Sequence, residues 1–297
     1  MLLALIVAAS ASCSSDDDQD TAAEDKPSES DADCDPARPT PDGLDQPETF
    51  SYGGVDRTYL LAVPDDYDGE TADPLVLNLH GFGGSAETHG NRTQMAAKGT
   101  ARGYVVVTPD ALGVPGFQNW NFTRDPGGAD DFGFIDALLT DLTDRLCIDE
   151  DRVYVAGHSN GSAFTGFLSC EPPYRFAAAA MVSAFIPSTC AVAEASPSVI
   201  AIHGTADPGV PYEGGLVVGG PATIPPALAT LDAYRDHYDC DPTPAEEEVQ
   251  PNVQRKAYTG CFNGAEAVLY TVVGGGHDWP DFATDTVLDF FDAHPGD

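Results

Sequence analysis

Three residues in this chain have the types and settings needed for covalent chemistry: a serine between glycines, a histidine behind three glycines, and an aspartate just past an apolar run. The serine is Ser159, in Gly157-His158-Ser159-Asn160-Gly161. Its setting says more than the pentapeptide does. The apolar run 152–156 leads straight into it and a helical pattern starts at Asn160, which is the strand–turn–helix context of a nucleophile elbow. Flanking glycines allow a backbone tight enough to expose the serine oxygen at the apex, and they let neighbouring segments approach without Cβ clashes. A serine hydroxyl is a weak nucleophile until a base takes its proton. Of the seven histidines, His277 is the best-placed base: it stands in Gly274-Gly275-Gly276-His277-Asp278-Trp279-Pro280, after a strand and before the last helical pattern. His294 lies near the C-terminus, His237 in a helical pattern and His89 in a polar loop. His80 and His203 each open a His-Gly turn, and His158 is expected to point away from the nucleophile. The acid that would fix the imidazole is Asp207, in His203-Gly204-Thr205-Ala206-Asp207 behind the apolar run 199–202. Asp232, Asp278 and Asp281 read instead as helix-start, loop or surface acids.

An oxyanion needs preorganised main-chain donors. Leu79-His80-Gly81-Phe82-Gly83-Gly84 follows an early strand, so the N–H groups of Phe82 and of Asn160 are the expected pair. The elements that must position these groups can be read from periodicity. Residues 57–63, 74–80, 104–108, 152–156, 176–182, 199–203 and 267–273 read as strands. Helical spacing marks 132–146, 160–169, 227–238 and 281–293. Most of the strands are apolar on both faces and alternate with helices. That pattern predicts an α/β fold with a mostly parallel central sheet covered by helices on both faces. The chain order Ser, Asp, His matches the α/β-hydrolase fold and neither the chymotrypsin nor the subtilisin arrangement.

The whole chain sets limits on partners and compartment. Against 48 acidic residues stand only 13 basic ones, a formal net charge of −35. Such a surface repels nucleic acid and anionic membranes, so neither is expected as a partner. The first residues are small and apolar, too short a stretch to span a bilayer, and lead into Cys13 followed by Ser14, Ser15 and three aspartates. This resembles a bacterial lipoprotein signal. Residues 1–13 are therefore read as an export signal ending at Cys13, with that cysteine as the lipidation site and the only expected tie to a membrane. Residues 14–45 are Asp, Glu, Ser, Pro and Ala with hardly a large apolar side chain, which predicts an acidic disordered linker. Residues 46–297 are the catalytic domain, about 250 residues and large enough for one core. Six cysteines remain beyond Cys13. An exported chain with an even remainder predicts disulfides. Cys240 with Cys261 is the preferred pair because they bracket one acidic, proline-containing excursion, and Cys170 with Cys190 is the second. No CxxC spacing or histidine cluster accompanies them, so no zinc site is expected.

The segments RTYLLAVPDDYDG, PLVLNLHGFGGS, DDFGFIDALL, DRVYVAGHSNGS, FAAAAMVSA, IAIHGTADPGVPY and GGGHDWP occur in order from about residue 54 to 281. With them the chain resembles the polyhydroxybutyrate depolymerase / feruloyl esterase family of secreted α/β-hydrolase esterases. The resemblance implies a single-domain enzyme without a cofactor, and it carries over Ser159, Asp207 and His277 as the triad. It also implies that Trp279 and Trp120 line the substrate pocket. Expected substrates are small or oligomeric carboxylic esters: hydroxyalkanoate oligomers, or the feruloyl and acetyl esters of plant polysaccharide. Little chain follows the last helix, which favours soluble esters over crystalline polyester. Two other readings remain: a serine peptidase of the same fold, and a non-catalytic polymer-binding surface lipoprotein. The expected location is extracellular or at the cell surface.

Overall fold

The computed structural model describes residues 34–41, 46–114, 117–173, 175–187, 190, 197–218 and 221–296. Cys13, the export segment and most of the expected linker lie outside them.

The alternation of side chains along each buried strand divides the apolar residues between two cores, one on each face of a sheet. Leu75, Leu77 and Leu79 join one core while Val76 joins the other. Val105 and Val107 part from Val106 in the same way, and Val153 and Val155 from Tyr154 and Ala156. In chain order the elements are β1 (Glu48–Tyr52), β2 (Val55–Ala62), β3 (Asp73–Leu79), α1 (Ala86–Thr93), α2 (Met95–Thr100) and β4 (Val105–Pro109). A short hairpin of β5 (Gly113–Val114) and β6 (Phe117–Gln118) follows, then α3 (Asp131–Arg145), β7 (Ile148–His158), α4 (Asn160–Leu168), β8 (Ala178–Val182) and β9 (Ser198–Gly204). A second hairpin of β10 (Gly215–Leu216) and β11 (Thr223–Ile224) precedes α5 (Ala227–His237), β12 (Ala245–Gln250), β13 (Val253–Tyr258), β14 (Ala267–Val272) and α6 (Ala283–Asp292).

Ten strands make one sheet in the order β1-β2-β4-β3-β7-β8-β9-β14-β13-β12. The six from β4 to β14 are parallel, and an antiparallel pair extends each edge. Helices α3, α4 and α5 supply Phe134, Leu138, Phe164, Leu231 and Tyr234 to one core. Met95 of α2 and Val287, Leu288 and Phe291 of α6 belong to the other. This is the mostly parallel, doubly covered α/β architecture that the sequence predicts. Strands β1, β12 and β13 and helices α1 and α2 are additions to that expectation. All of β12 (AEEEVQ) is exposed, so it lacks the apolar alternation that marks a strand, and its row of glutamates discourages pairing at the open edge.

The boundary expected at residue 46 falls too late. Cys34 is bonded to Cys147. The Cys34 N–H donates to the Glu70 carbonyl at 2.7 Å, and the Arg38 N–H to the Gly69 carbonyl at 2.7 Å. Residues 34–41 are thus fastened to the domain by a covalent bond and main-chain hydrogen bonds, neither of which needs the large apolar side chains that the segment lacks. Disulfides also join Cys170 to Cys190 and Cys240 to Cys261. Three such bonds fit an oxidising, extracellular setting. Among the described residues, no helix is long and apolar enough to cross a membrane.

Candidate active site

Parallel strands deliver their following loops to one edge of the sheet. Ser159 follows β7, Asp207 follows β9 and His277 follows β14. The serine sits at φ 55°, ψ −114°, a region that side-chain-bearing residues rarely occupy. The glycines on either side make the turn possible. A Cβ on Gly157 would lie 2.3 Å from the Gly161 carbonyl oxygen, and one on Gly161 would lie 2.4 Å from the carbonyl oxygens of Leu79 and His80. The elbow therefore packs backbone against backbone, and the motif's spacing follows from that contact.

The structure brings the three expected residues together. His277 Nδ1 is 2.7 Å from Asp207 Oδ2, and His277 Nε2 is 2.8 Å from Ser159 Oγ. An ionised carboxylate only accepts, so Nδ1 carries the proton and Nε2 is left to accept from the serine hydroxyl. Burial alone would raise the Asp207 pKa. Hydrogen bonds from His203, from His277 and from the Val210 and Gly209 amides outweigh it and hold the carboxyl well below the usual carboxylate range. Both of those amides donate to Oδ1 at 2.8 Å. The acid and base loops are stitched to each other: the Ala206 N–H donates to the Gly275 carbonyl at 2.9 Å and the Gly274 N–H to Thr205 Oγ1 at 2.8 Å.

Around Ser159 and His277 lies a cleft of about 250 Å³, also lined by Phe82, Thr88, His89, Arg92 and His158. Among the described residues that line it there is no carboxylate, although the chain carries 48 acids. Phe82 reaches it from the loop after β3, where the Gly84 N–H donates to the Gly81 carbonyl and the Gly83 N–H to the Gln118 carbonyl. His80 braces that loop. Its Nε2 accepts from the Ala111 N–H at 3.0 Å, so Nδ1 carries the proton donated to the Gly81 carbonyl at 2.7 Å. Asn160 opens α4, where main-chain N–H groups have no partner within the helix. The Phe82 and Asn160 N–H groups remain the proposed oxyanion donors.

Several expected placements need correction. Trp120 is 1% exposed and does not line the cleft. Its Nε1–H donates to the His80 carbonyl at 2.9 Å, its N–H donates to Asn160 Oδ1 at 2.8 Å, and its ring stacks on Phe164. It is a strut beneath the oxyanion loop and the elbow, because its polar ring edge finds its partner inside the core. Trp279 is 6% exposed, donates to Thr284 Oγ1 and packs in the α6 core. It borders a separate cavity of about 500 Å³ beside Arg92 and Asp278, not the one at Ser159. His89 belongs to α1 and not to a loop; it is buried, with Nε2 3.0 Å from Asn78 Oδ1. His158 does not point away from the site: its buried ring lies 5.0 Å from that of His277. Burial, together with nearby His277 and Arg92, pushes it down to about 3, so it stays neutral. Sequence reading sees His203 only as the start of a His-Gly turn and Ser162 only as a departure from a common glycine after the elbow, and it passes over Ser183. His203 Nε2 lies 3.0 Å from the Val210 carbonyl and 3.3 Å from Asp207 Oδ2, and Ser162 Oγ–H donates to the Ala184 carbonyl at 2.7 Å. Their partners lie in other segments of the chain, so the neighbouring residues carry no signal of these bonds.

No protein-family model matches the chain. Among curated proteins, feruloyl esterase B of Piromyces equi is 30% identical over 231 residues, covering 74% of this chain and 42% of that protein. A probable feruloyl esterase C of Aspergillus niger is 26% identical over 232 residues, covering 75% of this chain and 76% of that protein. Both relatives are feruloyl esterases, and the chain is similar to each over about three quarters of its own length. It spans less than half of the Piromyces relative and about three quarters of the Aspergillus one. In three dimensions this feruloyl esterase-like chain resembles an acetyl xylan esterase from Aspergillus awamori, with a TM-score of 0.62 at 17% identity over 83% of this chain and 99% of that one. At that identity the likeness speaks for the α/β-hydrolase fold.

Proposed function

We propose that the chain hydrolyses carboxylic esters through an acyl-enzyme on Ser159, with His277 as general base and acid and Asp207 as its orienting carboxylate. One observation carries this reading: His277 bridges Ser159 Oγ and Asp207 Oδ2 with bonds of 2.8 and 2.7 Å, one from each ring nitrogen. His277 Nε2 takes the hydroxyl proton as Oγ attacks the ester carbonyl. The Phe82 and Asn160 amides receive the oxyanion. His277 then hands its proton to the alkoxide, which leaves as the alcohol. In the second half-reaction the same nitrogen takes a proton from water, whose oxygen attacks the acyl carbon, and returns it to Oγ as the acid departs. The names of the relatives support feruloyl esters as substrates, with acetyl esters and hydroxyalkanoate oligomers in the same chemical class.

The test is hydrolysis of p-nitrophenyl acetate and butyrate, methyl ferulate and a hydroxybutyrate oligomer, with Ser159→Ala as the blank. The expected result is turnover that falls by on the order of 10⁴-fold or more in the variant. Folded wild-type protein that turns over none of these esters ends the reading. Cys13 is the proposed lipid-bearing residue, on the sequence that surrounds it. Labelled fatty acid should enter the wild-type protein and not Cys13→Ser; equal labelling of both would discard the anchor.

A further inference from the structure

The acid and base loops hold each other, as the bonds between residues 205–206 and 274–275 show. The nucleophile sits on a different strand, two places away in the sheet from the one that leads to Asp207 and three from the one that leads to His277. The strand between β7 and β9 is β8, and its exit carries contacts to the elbow, to the strand that leads to Asp207 and to the His277 loop. The Ser159 N–H donates to the Val182 carbonyl at 2.8 Å. Ser183 follows. Its N–H donates to the Ile202 carbonyl of β9 at 3.0 Å, and its Oγ–H donates to the carbonyl of Asp278, the residue after His277, at 2.9 Å. One residue further on, the Ala184 carbonyl accepts the Ser162 hydroxyl of the nucleophile's own helix. Three consecutive residues, Val182, Ser183 and Ala184, thus reach the elbow and its helix, the strand that bears the acid, and the loop that bears the base.

Two features separate Ser183 from an ordinary strand-end serine. Its φ is +59°, a left-handed conformation that a residue with a Cβ keeps only when its surroundings impose it, and such residues cluster at functional sites. It is also buried, so the donor end of its hydroxyl bond lies inside the protein while the Asp278 end is partly open. The loop it grips needs such a grip. Gly274, Gly275 and Gly276 precede His277 and give the backbone little stiffness of its own. The second hold on Asp278, from Arg92 Nη2 to Oδ1 at 3.0 Å, joins two side chains that are both well exposed, and exposed ion pairs hold weakly.

We propose that Ser183 is a positioning residue: through its bond to the Asp278 carbonyl it sets the distance between the Ser159 oxygen and the His277 ring. It touches neither the substrate nor the reacting atoms. The proposal rests on the esterase reading above and says how that site is kept in register. A base displaced by a fraction of an ångström binds ester as before but takes the proton less often. The effect therefore falls on kcat and not on KM.

The experiment compares Ser183→Ala and Ser183→Gly with wild type in the full chain. Three quantities are read: kcat and KM on p-nitrophenyl acetate, the rate of labelling by a fluorophosphonate, and Tm. Both variants lose the hydroxyl, while glycine also relaxes the positive φ. The expected result is a roughly tenfold fall in kcat and in labelling rate in both, with KM within twofold and with the Tm of Ser183→Gly at or above wild type. A loss of rate in a variant that is no less stable is what a merely structural serine would not give. The proposal is overturned if Ser183→Gly keeps kcat within twofold, or if rate and Tm fall together in Ser183→Ala and are both restored by glycine. Wild-type protein that labels with fluorophosphonate but hydrolyses no ester would sink the esterase reading alone, because labelling rates still report on Ser183. Wild-type protein that neither labels nor hydrolyses would overturn both.

Discussion

Acid should unfold this protein through a buried neutral histidine beside the nucleophile. His158 ends β7, is buried, and leaves Nε2 without a hydrogen-bond partner among the described residues. Burial, reinforced by His277 and Arg92, pushes its pKa down to about 3, against about 6.5 in an unfolded chain. Above pH 6.5 both states are neutral and the residue contributes nothing to the pH dependence. Between 6.5 and about 3 the unfolded chain takes up a proton that the folded state refuses, so stability falls as pH falls. Each pH unit in that window corresponds to about 1.4 kcal/mol, and the folded state should therefore lose about 3 kcal/mol to this residue by pH 4.5. His158→Phe removes the titration, keeps a ring of similar size and eliminates a buried polar atom that has no partner. The assay is urea unfolding of both proteins at pH 7 and pH 4.5. Wild type should lose about 3 kcal/mol more than the variant over that interval, roughly 10 °C in Tm for a domain of this size. Equal losses in the two proteins would refute the reasoning, because His158 would then be charged in the folded state and the region behind His277 open to water.

Three other perturbations have definite outcomes. Asp207→Asn turns an acceptor toward His277 into a donor and sets it against the His203 Nε2–H as well, since that nitrogen already donates to the Val210 carbonyl. The imidazole should take the wrong tautomer, with kcat on p-nitrophenyl acetate falling by about 10⁴-fold; a loss under tenfold would remove Asp207 from the site. The Cys34–Cys147 bond closes a loop with a sequence separation of 113. Replacing both cysteines with serine should therefore lower unfolding free energy by up to about 4–5 kcal/mol in urea, and unchanged stability would mean that the 34–41 segment is held by its backbone bonds alone. Arg57 and Asp131 form a buried pair at 2.8 Å, with the guanidinium 3.7 Å from the Phe134 ring centroid. Arg57→Met alone should destabilise by about 3–5 kcal/mol, and adding Asp131→Leu should restore much of it; strictly additive losses would show that the two charges do not depend on each other.

The parts of this molecule that sequence reveals are those whose constraint is local. Gly157 and Gly161 are needed because the turn at Ser159 presses them onto the backbone of residues 161 and 79–80. The motif is thus a record of contacts made within the elbow and against one neighbouring strand. Asp207 and His277 each follow an apolar run that becomes a central strand, and the parallel sheet places the ends of such runs along one edge. Six central strands were readable for the same reason: burial on both faces writes itself as a continuous apolar run. Strand β12 was not, because an edge strand with every residue in water has no apolar face to write.

Side-chain destinations are another matter. Trp120 and Trp279 have the residue type of a substrate wall, and both are consumed by the core. What decides their fate is whether an acceptor, the His80 carbonyl forty residues away for one and Thr284 five residues on for the other, meets the indole N–H inside the protein. His89 and His158 look polar in sequence and are buried, because Asn78 comes from a strand eleven residues earlier and the His277 loop from more than a hundred residues later. Ser183 is the extreme case. Its partners are in β9 and the His277 loop, while Val182 before it serves the elbow. None of these segments is adjacent to it in the chain, and a serine after an apolar strand attracts no notice. A residue whose proposed role is to tie one strand to a loop far away in the chain has no local pattern to leave, so its importance can be read only once the sheet has brought those segments to one edge.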